Sequence, residues 1–272
     1  MTGPIGIDLT GRRVLVVGGS AGIGRSTALA AAGAGAVIAV VGRSAEKLAE
    51  VVTTAGGGTG ISADVKDPKR CRELVGEAVE AMGGLDALVF ATGVSPLEPL
   101  DQIDAQTWHD VIATNAIAPA LVAQAALEHL SDDGVIIFIS SISTGGNGYD
   151  GLAAYAASKC ALDRTVRSWR SEHPDRRFVC MAVGDTMGTD FARDFDMETA
   201  AALFPKWLAA GTIYQNHMQA DDLGATIAEF VAMLLAHPGL TIPELTVVPV
   251  GPMMSGTPES VMEMMTQSAT AQ

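Results

Sequence analysis

Seven short runs dominated by apolar and β-branched residues recur along the chain, at 14–17, 37–41, 60–62, 87–90, 135–140, 178–182 and 245–248. Most lack the alternation of a half-exposed strand, and a series of such runs separated by helical stretches is the pattern of a parallel sheet covered on both faces. Helices are expected at 22–32, 45–54, 68–82, 106–129, 152–171 and 221–236. Asp67-Pro68 is a helix start, with an N-cap acceptor before a proline at the first helical position. Gly56-Gly57-Gly58 reads as a loop. The stretch 26–42 is free of charge and approaches the length of a membrane span. Gly33 and Gly35 interrupt it, however, and its second half is β-branched, so it reads as helix, turn and buried strand. With no repeat or linker in view, the expectation is an α/β protein in which 1–272 form one doubly wound domain.

Composition narrows the function. Hydrophobic residues make up 48% and charged ones 18%, enough for a sizeable core. With 17 basic and 31 acidic side chains the net charge is −14, which excludes a basic nucleic-acid clamp. Cys71, Cys160 and Cys180 are odd in number and never paired as C-x-x-C, so a disulfide or zinc framework is not expected and a reducing compartment is. Cys160 reads as a buried small side chain. His109, His129, His173, His217 and His237 lack ligand spacing, and Asp190, Asp194 and Asp196 surround Arg193 as a solvated acidic face, so no metal is expected. Residues 1–9 carry no basic patch followed by an apolar stretch; a cytoplasmic protein, not membrane-bound, is the expectation.

Three groupings carry chemistry. Directly after the first strand stands Gly18-Gly19-Ser20-Ala21-Gly22-Ile23-Gly24, opening the first helix. Glycines there let backbone amides and the positive helix end approach a pyrophosphate. After the second strand stands Gly42-Arg43-Ser44, where an NAD-selective site would place a carboxylate. Glycine leaves room for a 2′-phosphate, the guanidinium can hold it and the hydroxyl adds a donor, which favours NADP(H). Tyr155 and Lys159 stand four apart on one helical face. A tyrosine has a pKa of about 10, which the Lys159 ammonium and an oxidised nicotinamide are expected to bring down, making Tyr155 a general acid.

The spacing Gly18-x-x-x-Gly22-x-Gly24, with Asp64-Val65, Asn115, Ser140-Ser141 and Tyr155-Ala156-Ala157-Ser158-Lys159, resembles the short-chain dehydrogenase/reductase family over most of the chain. The chain departs from that pattern at Val17, at Phe90-Ala91-Thr92-Gly93 and at Val183. The resemblance implies a Rossmann-type fold and a catalytic set of Asn115, Ser141, Tyr155 and Lys159. Ser141 would donate to the substrate oxygen, with Ser140 and Ser143 as alternatives, and Asn115 would help hold a water behind Lys159. Cofactor contacts fall on Gly18, Ser20, Gly22, Ile23, Gly24, Arg43, Ser44, Asp64, Val65, Gly93, Tyr155, Lys159, Gly184, Thr186 and Thr189, with Asp64 at the adenine edge. The segment Asp185 to Phe191 and the ending from Asp221 through Pro249 look like the family branch that oxidises 3-hydroxy acids, and many members form homo-oligomers, tetramers or dimers, through the helices matching 106–129 and 152–171.

The chain is thus expected to be an NADP-dependent oxidoreductase moving hydride between nicotinamide and a small-molecule carbonyl or secondary alcohol. A 3-hydroxy acid dehydrogenase, a non-catalytic NADP-sensing regulator of the same fold and a sugar-nucleotide epimerase or dehydratase are the alternatives. A substrate-covering lid is expected at about 185–215; from Asp185 to 210 it carries five acids against Arg193 and Lys206. Ser143, Tyr149, Met187, Phe191, Phe204 and Trp207 are the expected substrate contacts, suited to a neutral hydrophobic ketone rather than a 3-hydroxy acid.

Overall fold

A computed structural model describes residues 7–146 and 148–254. In chain order the first half reads β1 (Arg13–Val17), α1 (Gly22–Gly33), β2 (Val37–Gly42), α2 (Ala45–Thr54), β3 (Thr59–Ser62), α3 (Pro68–Met82) and β4 (Leu85–Phe90). Next come α4 (Ala105–Ile112), a π turn (Ala113–Ile117), α5 (Ala118–Leu127), β5 (Leu130–Ser141) and α6 (Ala153–Glu172). The chain continues through β6 (Arg177–Val183), β7 (Thr186–Met187), α7 (Met197–Ala210), β8 (Met218–Gln219), α8 (Ala220–Ala236) and β9 (Glu244–Val247). The main sheet has seven parallel strands in the order β3-β2-β1-β4-β5-β6-β9, while β7 and β8 pair separately. This is the doubly wound Rossmann arrangement. Its order reverses between β1 and β4, and a crevice opens beyond the carboxyl ends of those strands.

Alternation within each strand feeds two cores. Leu15, Val17, Ile136 and Phe138 meet α3, α5 and α6 on one face, and Val14, Val16, Ile137 and Ile139 meet α1, α2 and α8 on the other. On that second face α8 rests on α1 almost backbone to backbone. A Cβ at Gly224 would lie 2.5 Å from Ser26, whose hydroxyl donates to Asp221 at 2.6 Å. At the amino ends of β1 and β4, Arg13 clamps the buried Asp86 with Nε at 2.7 Å and Nη2 at 2.8 Å. Burial pushes the Asp86 carboxyl up, but hydrogen bonds from Arg13 and Ser131 outweigh it and hold the group below its usual value.

Three expectations need correction. The helix placed at 106–129 is broken into α4, the π turn and α5, because Pro119 has no N–H to return to the Asn115 carbonyl four residues back. The sixth helix of the expected set is joined by a seventh full-length one, α7, whose start is set by Asp196 accepting from the Thr199 N–H at 2.8 Å. β5 begins at Leu130 rather than 135, its register against β4 shifting between Leu85 and Ala87 to absorb the extra residues. The charge-free stretch 26–42 is helix, turn and buried strand as expected. The run Ala105–Leu127 is long and apolar enough to cross a membrane by length and hydropathy, and 56% of its most apolar window is buried inside this fold.

Candidate active site

Three tightly packed glycines, Gly18 and Gly24 after β1 and Gly42 at the end of β2, shape this end of the crevice. Gly18 has φ 91°, and a Cβ there would come within 2.7 Å of Thr92, one of the positions departing from the family pattern. A Cβ at Gly24 would lie 2.3 Å from the Gly18 carbonyl, and one at Gly42 would lie 2.8 Å from the Ser20 hydroxyl. These contacts draw the ends of β1, β2 and β4 together. Helix α1 is preceded at its cap position by Ala21, which has no side-chain acceptor, and its first turn carries no acid. Its first N–H groups therefore keep their positive field for an anion in the crevice, where Gly22 and Ile23 line the wall.

Arg43, Ser44, Lys47, Asp64 and Val65 line the next part of the crevice. Ser44 caps α2 by accepting from the Lys47 N–H at 3.3 Å, and the Asp64 carboxylate accepts from the Lys66 N–H at 2.9 Å. Arg43 and Lys47 flank the amino end of α2, a combination that fits a phosphate group better than a ribose diol. Sequence reasoning missed Lys47. On an amphipathic helix one lysine looks like any other solvated cation.

The reacting end is built on α6. Tyr155 and Lys159 share its inner face, and Asn115 on the π turn is completely buried beside them. Lys159 Nζ donates to the Ile139 carbonyl at 2.8 Å and lies 5.9 Å from the centre of the Tyr155 ring. Asn115 accepts from Val94 N–H at 2.9 Å and donates to the Val94 carbonyl at 2.8 Å and to Ser158 at 2.9 Å. Ser158 in turn donates to the Tyr155 carbonyl at 2.6 Å. A Cβ on Gly93 would lie 3.5 Å from Lys159 Nζ and 3.6 Å from Asn115 Oδ1, so both polar groups border the same glycine.

The candidate serines separate clearly. Ser140 turns away and donates to Asp163 on α6 at 2.5 Å. Ser141 accepts from the Ser143 N–H at 3.1 Å and hydrogen-bonds toward Tyr155. The buried Ser143 hydroxyl has no protein partner and borders the crevice. Burial pushes Tyr155 up to about 12; the Ser141 hydrogen bond opposes this and Asp163 adds to it. The expected lowering of Tyr155 by Lys159 is thus not what the chain's own groups produce, because desolvation of the phenolate dominates. The same desolvation pulls Lys159 down to about 8, against the opposing charge of Asp163.

Beyond β6 the chain crosses the crevice. Phe191 sets its ring edge-on to Tyr155 with centroids 5.3 Å apart, and Ser95 donates to its carbonyl at 2.9 Å. Tyr149, Met187, Phe204 and Trp207 also line the crevice. Tyr149 donates to the Thr212 carbonyl at 3.1 Å and Trp207 to the Asp150 carbonyl at 2.8 Å. Leu203 instead packs with Leu97 and Leu152, seating α7 on the body. Leu97 and its neighbours Ser95 and Pro96 form a wall that no sequence signal marked. Gly184 lies at the crevice, where Thr186 donates to its carbonyl at 2.9 Å, and Thr189 donates to the Thr186 carbonyl at 3.4 Å while packing over Gly22. Asp190 and Asp194 pair with Arg193 at 2.7 and 3.3 Å. Among the described residues no group of His, Cys, Asp or Glu could hold a metal ion. Cys160 is exposed rather than buried, its thiol donating to the Thr144 carbonyl at 3.7 Å beyond the end of β5.

A profile described as short chain dehydrogenase matches residues 12–199, most of the sheet and the whole Tyr155–Lys159 helix. The chain belongs to that family. This short-chain dehydrogenase is 32% identical over 181 residues to a hydroxynaphthalene reductase-like protein of Metarhizium brunneum, covering 65% of this chain and 68% of that protein. An uncharacterized oxidoreductase of Methylorubrum extorquens is 31% identical over 233 residues, 81% of this chain and 90% of its own. Among solved structures, a short chain dehydrogenase from Burkholderia cenocepacia in complex with NADP superposes with a TM-score of 0.76 at 29% identity, covering 88% of this chain and 97% of the other. A dehydrogenase/reductase from Sinorhizobium meliloti gives 0.75 at 29% identity, over 89% and 96%. This short-chain dehydrogenase is therefore an oxidoreductase acting on a small molecule. The expected likeness of its C-terminal part to 3-hydroxy acid dehydrogenases finds no counterpart among these relatives.

Proposed function

We propose that this short-chain dehydrogenase uses NADP(H) to interconvert a neutral, apolar ketone, cyclic or aryl, with its secondary alcohol. The observation that carries the reading is one crevice of about 1180 Å³ in which the Arg43 and Lys47 cations, the bare start of α1 and an apolar wall over Tyr155 all meet. The backbone from Gly18 to Gly24 would hold the pyrophosphate, Arg43, Lys47 and Ser44 the 2′-phosphate, and Asp64 and Val65 the adenine. Gly93, Gly184, Thr186 and Thr189 would border the nicotinamide half. When bound, the cofactor supplies or accepts the hydride.

The chain's own groups handle the proton and the developing charge. Tyr155, raised to about 12, stays protonated through the neutral range and donates its phenolic proton to the substrate oxygen. The Ser143 N–H orients the Ser141 oxygen, and the Ser141 hydroxyl, which faces Tyr155 here, would turn its hydrogen to the substrate oxygen once that oxygen lies between the two side chains. Lys159 keeps a cation behind the phenol, and Asn115 fixes the π turn against α6. The segment 185–215 acts as the lid, with Phe191 keeping water from Tyr155. Its excess of acids disfavours anionic substrates, and the relative named as hydroxynaphthalene reductase-like supports an apolar ring compound.

Assays with saturating NADPH check this. Cyclic or aryl ketones should give higher kcat/KM than short 3-oxo acids; a clear advantage for the acids overturns the substrate class. Tyr155→Phe should abolish turnover while NADPH still binds. Arg43→Ala should weaken NADPH by roughly 1.5–3 kcal/mol and leave NADH almost unchanged. Equal affinities for the two cofactors in the unaltered protein would remove the case for the 2′-phosphate site.

A further inference from the structure

Asp163 stands one turn beyond Lys159 on α6, and the proposed proton transfer does not use it. Its Oδ1 accepts from the Ser140 hydroxyl on β5 at 2.5 Å and from the Cys180 thiol on β6 at 3.1 Å. One carboxylate oxygen thus ties the helix that carries Tyr155 and Lys159 to the strand end that carries Ser141. We propose that Asp163 is a positioning residue for carbonyl reduction: it fixes Ser141 relative to Tyr155 and places a negative charge behind the site that keeps its protons bound.

The surrounding charges make Asp163 the relevant anion. Tyr155, Lys159 and Arg167 share its helix, Ser140 and Cys180 reach it from β5 and β6, and Glu244 of β9 is engaged by Arg167 and Arg170. Burial pushes the Cys180 thiol up to about 12, so it is neutral in the working range. The Asp163 charge raises both Lys159 and Tyr155. For a ketone reductase both effects act in one direction, since the acid must start protonated and its lysine charged.

The inference rests on Tyr155 as the acid, and the pH profile of kcat/KM for ketone reduction tests it separately. Activity is lost as pH rises through the values of the protonated groups, so removing the negative charge must bring the alkaline limb to lower pH. Asp163→Asn should move that limb down by about one pH unit. Asp163→Glu, which keeps the charge, should return it toward the original position, and Ser140→Ala should lower kcat without moving it. If thermal melting shows that Asp163→Asn does not fold, Asp163→Ser is read for the same shift. An alkaline limb that stays in place in a folded, charge-free variant overturns the proposal, as does an equal shift in Ser140→Ala. Turnover persisting in Tyr155→Phe would refute the acid assignment instead, so the two failures are distinct.

Discussion

Lys159 is completely enclosed, with its ammonium hydrogen-bonded to a single backbone carbonyl, and burial lowers its pKa from 10.5 to about 8. Below pH 8 the folded protein therefore carries a charge that the unfolded chain would hold in water, at a constant cost in stability. From pH 8 upward that cost is relieved, because unfolding then takes up a proton. The gain ends near pH 9, where the buried Cys71 and Cys180 thiols, raised from 9.0 to about 11 and about 12, begin to work the other way. Lys159→Met should stabilise the protein by about 1–3 kcal/mol at pH 7 while eliminating turnover. Chemical denaturation of both proteins at pH 7 measures this, and an unchanged or lower stability for the Met variant contradicts it. On the proposed function, the side chain serves chemistry at the expense of the fold.

At the scale of elements, α7 is the most exposed helix at the site, held by Leu203 against Leu97 and Leu152 and started by the Asp196 cap. Asp196→Ala should remove about 1 kcal/mol from that helix. Amide exchange in α7 should speed up and KM for the ketone should rise, with NADPH affinity unchanged; exchange as slow as before would show that the cap is dispensable. The main strands and most helices were legible because uninterrupted Val and Ile runs admit few alternatives and Asp67-Pro68 marks a helix start. The glycine turn was legible from its place between the first strand and the first helix, and the shared face of Tyr155 and Lys159 from their spacing, whereas a catalytic reading of that pair drew on the whole constellation with Asn115 and Ser141. The π turn was not, since Pro119 inside an alanine-rich stretch predicts a disturbance without its form. Asp163 and Lys47 were invisible for another reason. Their significance lies in what β5, β6 and the crevice bring next to them, and a helix sequence carries no record of its neighbours.

For the whole molecule, the covering segment decides how ligands enter. Thr189 packs over Gly22 and Phe191 stands against Tyr155, so one strap spans the cofactor turn and the acid together. On the proposed function, a dinucleotide would therefore have to slide beneath or displace this strap before the ketone could find its place. Arg193, half exposed within it, is a ready site for trypsin. NADPH should slow cleavage after Arg193 at least several-fold, and saturating ketone alone should not; equal protection by the ketone alone would mean that the two ligands enter independently.

The clamp between Arg13 and Asp86 lies at the opposite ends of β1 and β4 from the crevice. Severing a half-exposed ion pair of this kind, which leaves the Asp86 carboxylate buried without its partner, costs on the order of 1–3 kcal/mol, still a sizeable share of a domain's stability. The strands are thus fastened at one end and employed at the other. Mutations that retune cofactor or ketone preference at the open end leave that fastening intact, so such a scaffold can drift between substrates over evolutionary time without first losing its ability to fold.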